Sequence, residues 1–477
     1  MTAPTPMPLP PGVSVAYLHH HRVCPRAKPG GKGVQLLVAP DALIDDAMPE
    51  LTAAYGEPLE HAPADWVTVQ QALATLGAPI GRHDASDEAR ADTRDLADQP
   101  PVIRFLNALI RTAVASRASD IHLEVTRENA VARLRVDGML SPTLAPAPEL
   151  RDAVVSRIKL LANMDIADRR APQDGSFRVR LDHTMLDVRV SVVPTGHGES
   201  VVLRLLAALD RPASIEELGL PTDMLRRFRR ALQRPSGLVI VTGPTGSGKT
   251  TTLYAALQTR DAAAEKIMTV EDPIEYDLPS VTQVAVASRG SVGFADALRS
   301  LLRQDPDVVL IGEVRDAETA SIAVRAALTG HLVLTTLHTN DAASAIPRLQ
   351  DLGVPTYLLR STVQCVIAQR LVRRICADCR ADRAPRDEER RALADAGFPT
   401  ESVSCGVGCD ACRGTGYRGR LALFEVLEIG ADSEVSAAAE RGDARSRTRE
   451  GSMWQHGLLH VSQGTTSLAE VVRVTND

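Results

Sequence analysis

Eight consecutive residues, Gly243, Pro244, Thr245, Gly246, Ser247, Gly248, Lys249 and Thr250, complete the pattern G-x-x-x-x-G-K-[ST]. Glycines let such a stretch curl until its amide N–H groups converge on phosphate oxygens, and a following helix adds positive charge from its N-terminus. Lys249 is the residue type that reaches β- and γ-phosphates, and the Thr250 hydroxyl is the type that binds magnesium. The flanks fit: a strand-like run at Leu238–Val241 precedes the loop, and a helical stretch opening at Thr251 and running to Leu257 follows it.

A phosphate loop specifies binding; hydrolysis needs one acidic group to hold magnesium through water and another to orient the attacking water. Three later apolar runs end in suitable groups. Lys266–Val270 ends at Glu271 and Asp272, Val308–Ile311 at Gly312 and Glu313, and Leu332–Leu337 at His338. In a doubly wound α/β sheet the strand C-termini gather around the ligand crevice, so all three are expected at the phosphate end. Glu313 stands at the Walker B position, with Gly312 where an Asp is usual. Glu271 is the second acid, and spacing does not decide which of the two is the base. Arg299, Arg303 and Arg315 flank the Glu313 run and are candidates to neutralise transition-state charge across a subunit contact; a surface ion pair is an equally ordinary use of each.

A second kind of chemistry sits near the C-terminus. Cys376 and Cys379, then Cys409 and Cys412, form two C-x2-C pairs with 29 residues between them. In a reducing compartment such pairs indicate metal rather than disulfide, and four thiolates make a closed tetrahedral zinc site that is structural rather than catalytic. The glycines at 414–419 supply the tight turns of such a knuckle. Cys405 is a poorer-spaced competitor for Cys409, Cys365 lies in a helix-like pattern and reads as core, and Cys24 carries no signal.

The elements around these residues divide the chain into several bodies. Residues 1–80 read as a small N-terminal module for partner docking, with a strand at Gly33–Ala39 and a helix at Trp66–Leu76; residues 81–101 read as a linker closed by Pro100 and Pro101. A second domain spans 102–206. It begins with a helix at Val102–Ala115, continues through a strand at Ile121–Val125, the turn pair Asp137-Gly138 and an amphipathic Arg151–Met164, and ends in alternating strands. On those strands Arg189 and Arg204 project away from the apolar face. After a linker at 207–214, residues 215–477 alternate strand-like and helical segments, the signature of a mostly parallel α/β sheet, and include a tetracysteine module at 371–420. Aromatic residues make up 3% of the chain and the net charge is -6, which disfavours a base-stacking or basic nucleic-acid surface. No apolar run approaches the roughly 18 residues that span a bilayer, and no signal core precedes residue 23; the expected location is cytoplasmic.

With these motifs in order, the chain resembles the secretion ATPases of type II secretion and type IV pilus assembly over roughly residues 102–477. Four blocks carry the likeness: the phosphate loop, the aspartate box at Val270–Tyr276, the atypical Walker B segment Leu298–Asp316 and the histidine box Thr329–Asn340. The preceding domain adds the runs at 118–124, 135–138 and 172–175. The resemblance implies a RecA-like ATPase domain behind a smaller α+β PAS-like domain, with a zinc-binding cysteine insertion. It places Arg189 and Arg204 near the nucleotide phosphates and both His331 and His338 near the γ-phosphate. ATP, Mg2+ and Zn2+ are the implied cofactors. It further implies a homohexamer, weakly active as isolated subunits, that lies on the cytoplasmic face of the inner membrane. There it would contact platform and anchoring proteins, with acidic phospholipid as an allowed further contact. The function expected first is a motor driving pseudopilus assembly in type II secretion. A pilus extension motor is the alternative; a DNA-translocating motor or a nucleotide-binding regulator without turnover ranks lower.

Overall fold

The computed structural model describes residues 100–127, 130–181, 184–207, 213–286, 293–429 and 451–475. N-terminal to these it describes residues 18, 21–28, 33–40, 42, 44–56, 59–66, 68–69 and 72–73. The chain divides into two compact units, residues 1–91 and 92–477.

The first unit holds β1 (Val23–Ala27), β2 (Val34–Val38), α1 (Ile44–Tyr55) and β3 (Glu60–Pro63). β1 pairs antiparallel and β3 parallel with β2, and Leu18, Leu36 and Leu51 fill the core beneath, with Cys24 buried among them. The strand expected at 33–39 is β2. The helix expected at 66–76 is described only in part, and residues 81–99 of the expected linker lie outside the described residues.

In the second unit α2 (Pro100–Ala115) begins at the two prolines that were expected to close a linker. Proline at the first helical positions lacks only an N–H that has no intrahelical partner there. α2 lays Val102, Leu106, Leu109, Ile110 and Ala113 against a six-stranded antiparallel sheet. That sheet contains β4 (Ala118–Val125), β5 (Ala130–Val136) and β6 (Met139–Thr143), then, after α3 (Arg151–Leu161), β7 (Gln173–Leu181), β8 (Thr184–Thr195) and β9 (Gly198–Ala207). Its order is β6-β5-β4-β9-β8-β7. Val188 and Val190 on β8 and Leu203 and Leu205 on β9 face the core, so Arg189 and Arg204, which are register partners, share the opposite face. Lys159 on α3 is fully buried and is paired with Glu199 at 2.5 Å, while its ammonium also donates to the Asp168 carbonyl at 2.8 Å. Buried charge is tolerable only when satisfied in this way.

The remaining elements are α4 (Thr222–Leu232), β10 (Gly237–Thr242), α5 (Lys249–Leu257), β11 (Ile267–Glu271), β12 (Thr282–Ala285), α6 (Phe294–Leu301), β13 (Val308–Ile311), α7 (Ala317–Leu328), β14 (Leu332–Leu337), α8 (Ala345–Asp351), α9 (Thr356–Thr362), β15 (Val363–Ile375), β16 (Arg380–Arg383), α10 (Asp387–Asp395), β17 (Val403–Gly406), β18 (Tyr417–Glu428), α11 (Met453–Ser462) and α12 (Leu468–Thr475). They build a seven-stranded sheet of order β12-β11-β13-β14-β10-β15-β18, parallel except for β18. β10, β13 and β14 are buried along their whole length. Alternate residues feed two cores: Leu238 and Ile240 on one side, Val239 and Val241 on the other. This double burial is why these strands read as unbroken apolar runs. Cys365 is core as expected, yet it lies on β15 and not in a helix. The β-branched run around it (Val363, Val366, Ile367) prefers a pleated, two-sided environment.

Candidate active site

The phosphate loop leaves β10 at Gly243 and re-enters regular structure at Lys249, the first residue of α5. Gly243 has φ +146°, and a Cβ there would lie 2.4 Å from the Gln369 carbonyl oxygen on β15. Only glycine permits both the backbone angle and the approach. Pro244, Thr245 and Gly246 form the exposed crest, while Ser247 and Lys249 are buried. The Lys249 ammonium donates to the carbonyls of Gly243 at 2.8 Å and Pro244 at 3.0 Å. Burial lowers its pKa to about 8, with Glu313 opposing and Arg370 reinforcing the shift. Thr250 and Thr251 follow on the first turn of α5, half-buried.

Parallel pairing sets the other groups at the same sheet edge. Leu337 on β14 is in register with Thr242 on β10, Ile311 on β13 with Thr335, and Val270 on β11 with Ile311. The residues just beyond are His338, Glu313 and Glu271. Glu313 and His338 meet: His338 Nε2 lies 3.4 Å from Glu313 Oε2, and Arg315 Nη2 lies 2.5 Å from Glu313 Oε1. The segment after His338 is tied to the base of the phosphate loop, because the Thr339 N–H donates to Thr242 Oγ1 at 2.9 Å and the two hydroxyls are 2.8 Å apart.

Glu271 is placed differently. Its carboxylate is buried; Oε1 accepts from Thr269 Oγ1 at 2.7 Å and Gln283 Nε2 at 3.1 Å, and Oε2 accepts from the Tyr254 hydroxyl. Burial and the adjoining carboxylate hold the Tyr254 phenol well above its usual range. Gly312 stands where an Asp is usual, in close contact with β11: a Cβ there would sit 3.3 Å from the Val270 carbonyl oxygen and 3.4 Å from Glu271 Cα, so a side chain asks β11 to give by a few tenths of an ångström.

His331 departs from the expectation that both histidines reach the γ-phosphate. It precedes β14 while His338 follows it, which separates them by a six-residue strand, roughly 20 Å at ~3.3 Å per residue. The His331 carbonyl accepts from Gly237 N–H at the start of β10, and its ring Nδ1 lies 3.0 Å from the Ala326 carbonyl. Within one chain it is therefore at the sheet edge opposite the phosphate loop.

Arg189 Nη2 donates to the Ile274 carbonyl at 3.3 Å, in the segment after Glu271. Arg204 is instead held by Asp120, Nε to Oδ1 at 3.0 Å. Arg299 pairs with Asp296 and Glu318 on an exposed face, and the Arg303 guanidinium donates to the Arg299 carbonyl and Ser300 Oγ.

Sequence reasoning missed Gln369. Its side chain accepts from Thr252 Oγ1 at 2.6 Å, and a Cβ on Gly248 would lie 2.8 Å from its Nε2, so the side chain sits against the helix end of the phosphate loop while the Gln369 carbonyl lies close to Gly243. Its only sequence signal, a polar residue inside an apolar strand, gains meaning once β15 is placed beside β10.

The four paired cysteines meet in a separate module between β15 and β18. Their sulfurs all lie within 4.8 Å of one another, with separations of 3.9 Å for Cys376–Cys409, 3.8 Å for Cys379–Cys412 and 3.7 Å for Cys409–Cys412. Tetrahedral ligation at a metal–sulfur distance of about 2.3 Å requires edges of about 3.8 Å, so this set can hold a metal. Backbone amides of Gly408, Cys409 and Gly416 point at the sulfurs. The knuckle demands its glycines, since a Cβ on Gly406 would lie 1.9 Å from the Gly416 carbonyl oxygen. Cys405 lies outside the cluster, on β17.

The family profile described as "Type II/IV secretion system protein" matches residues 95–473. The chain belongs to that family. Among relatives, it is 48% identical to type II secretion system protein HxcR of Pseudomonas aeruginosa over 81% of this chain and 80% of that one. It is 44% identical to type II secretion system ATPase E of Vibrio cholerae, over 81% and 78%, and 39% identical to type IV pilus assembly ATPase PilB of Myxococcus xanthus, over 93% and 78%. Among solved structures, the pilus retraction motor PilT with bound ADP aligns with TM-score 0.51 at 28% identity, covering 77% of this chain and 96% of that one. The Legionella pneumophila ATPase DotB aligns with TM-score 0.55 at 23% identity over 78% and 95%, a likeness of fold alone. This member of the secretion ATPase family thus has an α/β ATPase fold, and among the described residues no helix is long and apolar enough to cross a membrane.

Proposed function

We propose that the chain is a motor subunit of type II protein secretion that hydrolyses ATP to ADP and phosphate and drives pseudopilus assembly at an inner-membrane platform. The observation that carries the reading is the meeting of Glu313 and His338 beside Lys249, at the strand ends that flank a complete phosphate loop. In this reading the loop amides and Lys249 bind the β- and γ-phosphates. Magnesium, held by the Thr250 hydroxyl, would neutralise charge on those phosphates. Glu313 orients the attacking water, and His338 orients Glu313. Glu271 is the less suited base, because both of its oxygens are already engaged by neutral donors in the interior. Its burial suits it to hold the aspartate box in place.

The same reading takes the parallel-sheet body as RecA-like and residues 102–206 as PAS-like. Arg189 and Arg204 then bring positive charge to the phosphates when the two bodies close, with subunits arranged as a homohexamer peripheral to the inner membrane. The four cysteines hold zinc as a structural ion. Three of their sulfur–sulfur edges have the length tetrahedral ligation requires, and four thiolates leave no open position.

Purified assembled protein with magnesium is expected to hydrolyse ATP, and a deletion strain is expected to lose protein export while keeping surface pili. Absence of ATP binding and turnover would sink the motor reading. The extent of the likeness to PilB supports a second reading, pilus extension; loss of pili with normal export would favour it.

A further inference from the structure

β15 runs parallel to β10 and outruns it. Thr242, the last residue of β10, is in register with Ala368, and β15 continues to Ile375. Gln369 and Arg370 are thereby carried past the point where the phosphate loop departs. Side chains alternate along a strand, so the two residues serve opposite faces. Gln369 turns toward α5, where it meets Thr252. Arg370 turns toward the connection that follows β14.

Arg370 is buried, 7% exposed, and its Nη2 lies 3.3 Å from the Asn340 carbonyl oxygen and 3.2 Å from Asn340 Oδ1. Placing a guanidinium in the interior is costly unless its donors are used. Both contacts come from one nitrogen, Nη2, whose two hydrogens are fixed in the guanidinium plane, whereas a lysine ammonium presents its donors with less directional control. The result is a segment with three successive tethers from three strands. His338 is held by Glu313 beyond β13, Thr339 by Thr242 on β10, and Asn340 by Arg370 on β15. Arg370 also lies close enough to Lys249 for its charge to disfavour the protonated lysine.

We propose that Arg370 is a positioning residue for hydrolysis: by gripping both oxygens of Asn340 it holds the His338 segment so that the imidazole stays on the Glu313 carboxylate. The inference rests on Glu313 and His338 being hydrolytic groups. Arg370 contributes to turnover through geometry, and nucleotide binding is left to the phosphate loop.

The test is steady-state ATPase kinetics of the full-length assembled protein with magnesium, for Arg370→Gln, Arg370→Lys, Asn340→Ala and the Arg370→Gln/Asn340→Ala double variant. Misplacement of this kind costs about 10- to 100-fold in rate. Arg370→Gln is expected to lose that much kcat while the KM for ATP moves less than about threefold. Arg370→Lys should recover part of the loss, since an ammonium keeps a charged donor for Asn340 without the fixed direction of the guanidinium. The double variant should be no slower than Arg370→Gln, because Asn340→Ala removes one oxygen of the same tether that Arg370→Gln removes whole. A KM raised about tenfold with kcat intact would show that Arg370 binds phosphate, and multiplicative losses would show that the two residues act separately; either overturns the proposal. If Arg370→Gln fails to fold, Asn340→Ala decides by itself: wild-type kcat in that variant overturns the proposal. Inactivity of the unsubstituted protein would instead strike the hydrolytic reading, so the two failures are distinguishable.

Discussion

His338 Nε2 stands 3.4 Å from Glu313 Oε2, a contact between residues at the ends of the adjacent parallel strands β14 and β13. Nothing local in the chain joins them. The pairing register of the two strands brings the carboxylate to the ring.

If that pair orients the attacking water, Glu313→Gln should reduce kcat by about 100-fold or more with little change in nucleotide affinity. Glu271→Gln should act chiefly on stability, by about 1–3 kcal/mol, because it disturbs a buried, fully bonded carboxylate. Parallel measurements of kcat, fluorescent-nucleotide binding and thermal melting on both variants check this. Equal losses of kcat in two well-folded variants would reverse the assignment.

The backbone crowding at Gly312 makes a separate prediction. Gly312→Asp, which restores the commoner residue before the glutamate, should destabilise the protein by about 1–3 kcal/mol, because β11 must give by a few tenths of an ångström at the new Cβ and a carboxylate is added beside Glu271. Gly312→Ala should cost a smaller but measurable amount, since its Cβ asks for the same few tenths of an ångström without adding a carboxylate. Chemical denaturation of both variants distinguishes this from a purely electrostatic effect, which would spare the alanine.

The cysteine module should depend on its metal. Elemental analysis of purified protein is expected to give one zinc per chain, and Cys379→Ser or strong chelation should open the segment between β15 and β18 to protease. The phosphate loop lies on a different part of the sheet, so nucleotide binding should persist in the chelated protein. Full retention of protease resistance after demonstrated metal removal would contradict a structural role.

A pH dependence follows from α11. His456 is buried, and its Nδ1 accepts from the Phe424 N–H at 2.9 Å, while its Nε2 faces His460 Nε2 at 3.1 Å. Burial, then the neighbouring His460, lower its pKa to about 3 against an ordinary 6.5. Between those values the unfolded chain binds a proton that the folded chain refuses, so stability falls as pH drops from 6.5 towards 3. The slope contributed by this group approaches about 1.4 kcal/mol per pH unit. Denaturation midpoints of wild type and His456→Gln, which keeps an acceptor for Phe424, should diverge in slope over that range. Parallel slopes would show that His456 is not the titrating group.

Legibility in the sequence tracked how local each signal is. β10, β13 and β14 were readable as apolar runs because both faces of each strand are buried. The phosphate loop was readable because its glycine and lysine positions are imposed by backbone curvature over eight residues. The cysteine pairs were readable because each C-x2-C places two sulfurs by itself. The strand around Cys365 is not legible as one, because a short apolar run has no period that separates a buried strand from a buried helix. Pro100 and Pro101 begin α2, and their residue types do not announce it, since proline both closes loops and opens helices.

The amino-acid sequence by itself determined the phosphate loop, the strand-end acids and histidine, the four thiols and the family they indicate, because each rests on spacing along one segment. Only the tertiary structure decided that Glu313 meets His338 while Glu271 is bonded in the interior, that His331 lies at the far sheet edge, and that Gln369 and Arg370 brace the site from β15. Those facts depend on which strands are neighbours and in what register, and register is set by the packing of two cores against the sheet, which no single segment of chain encodes.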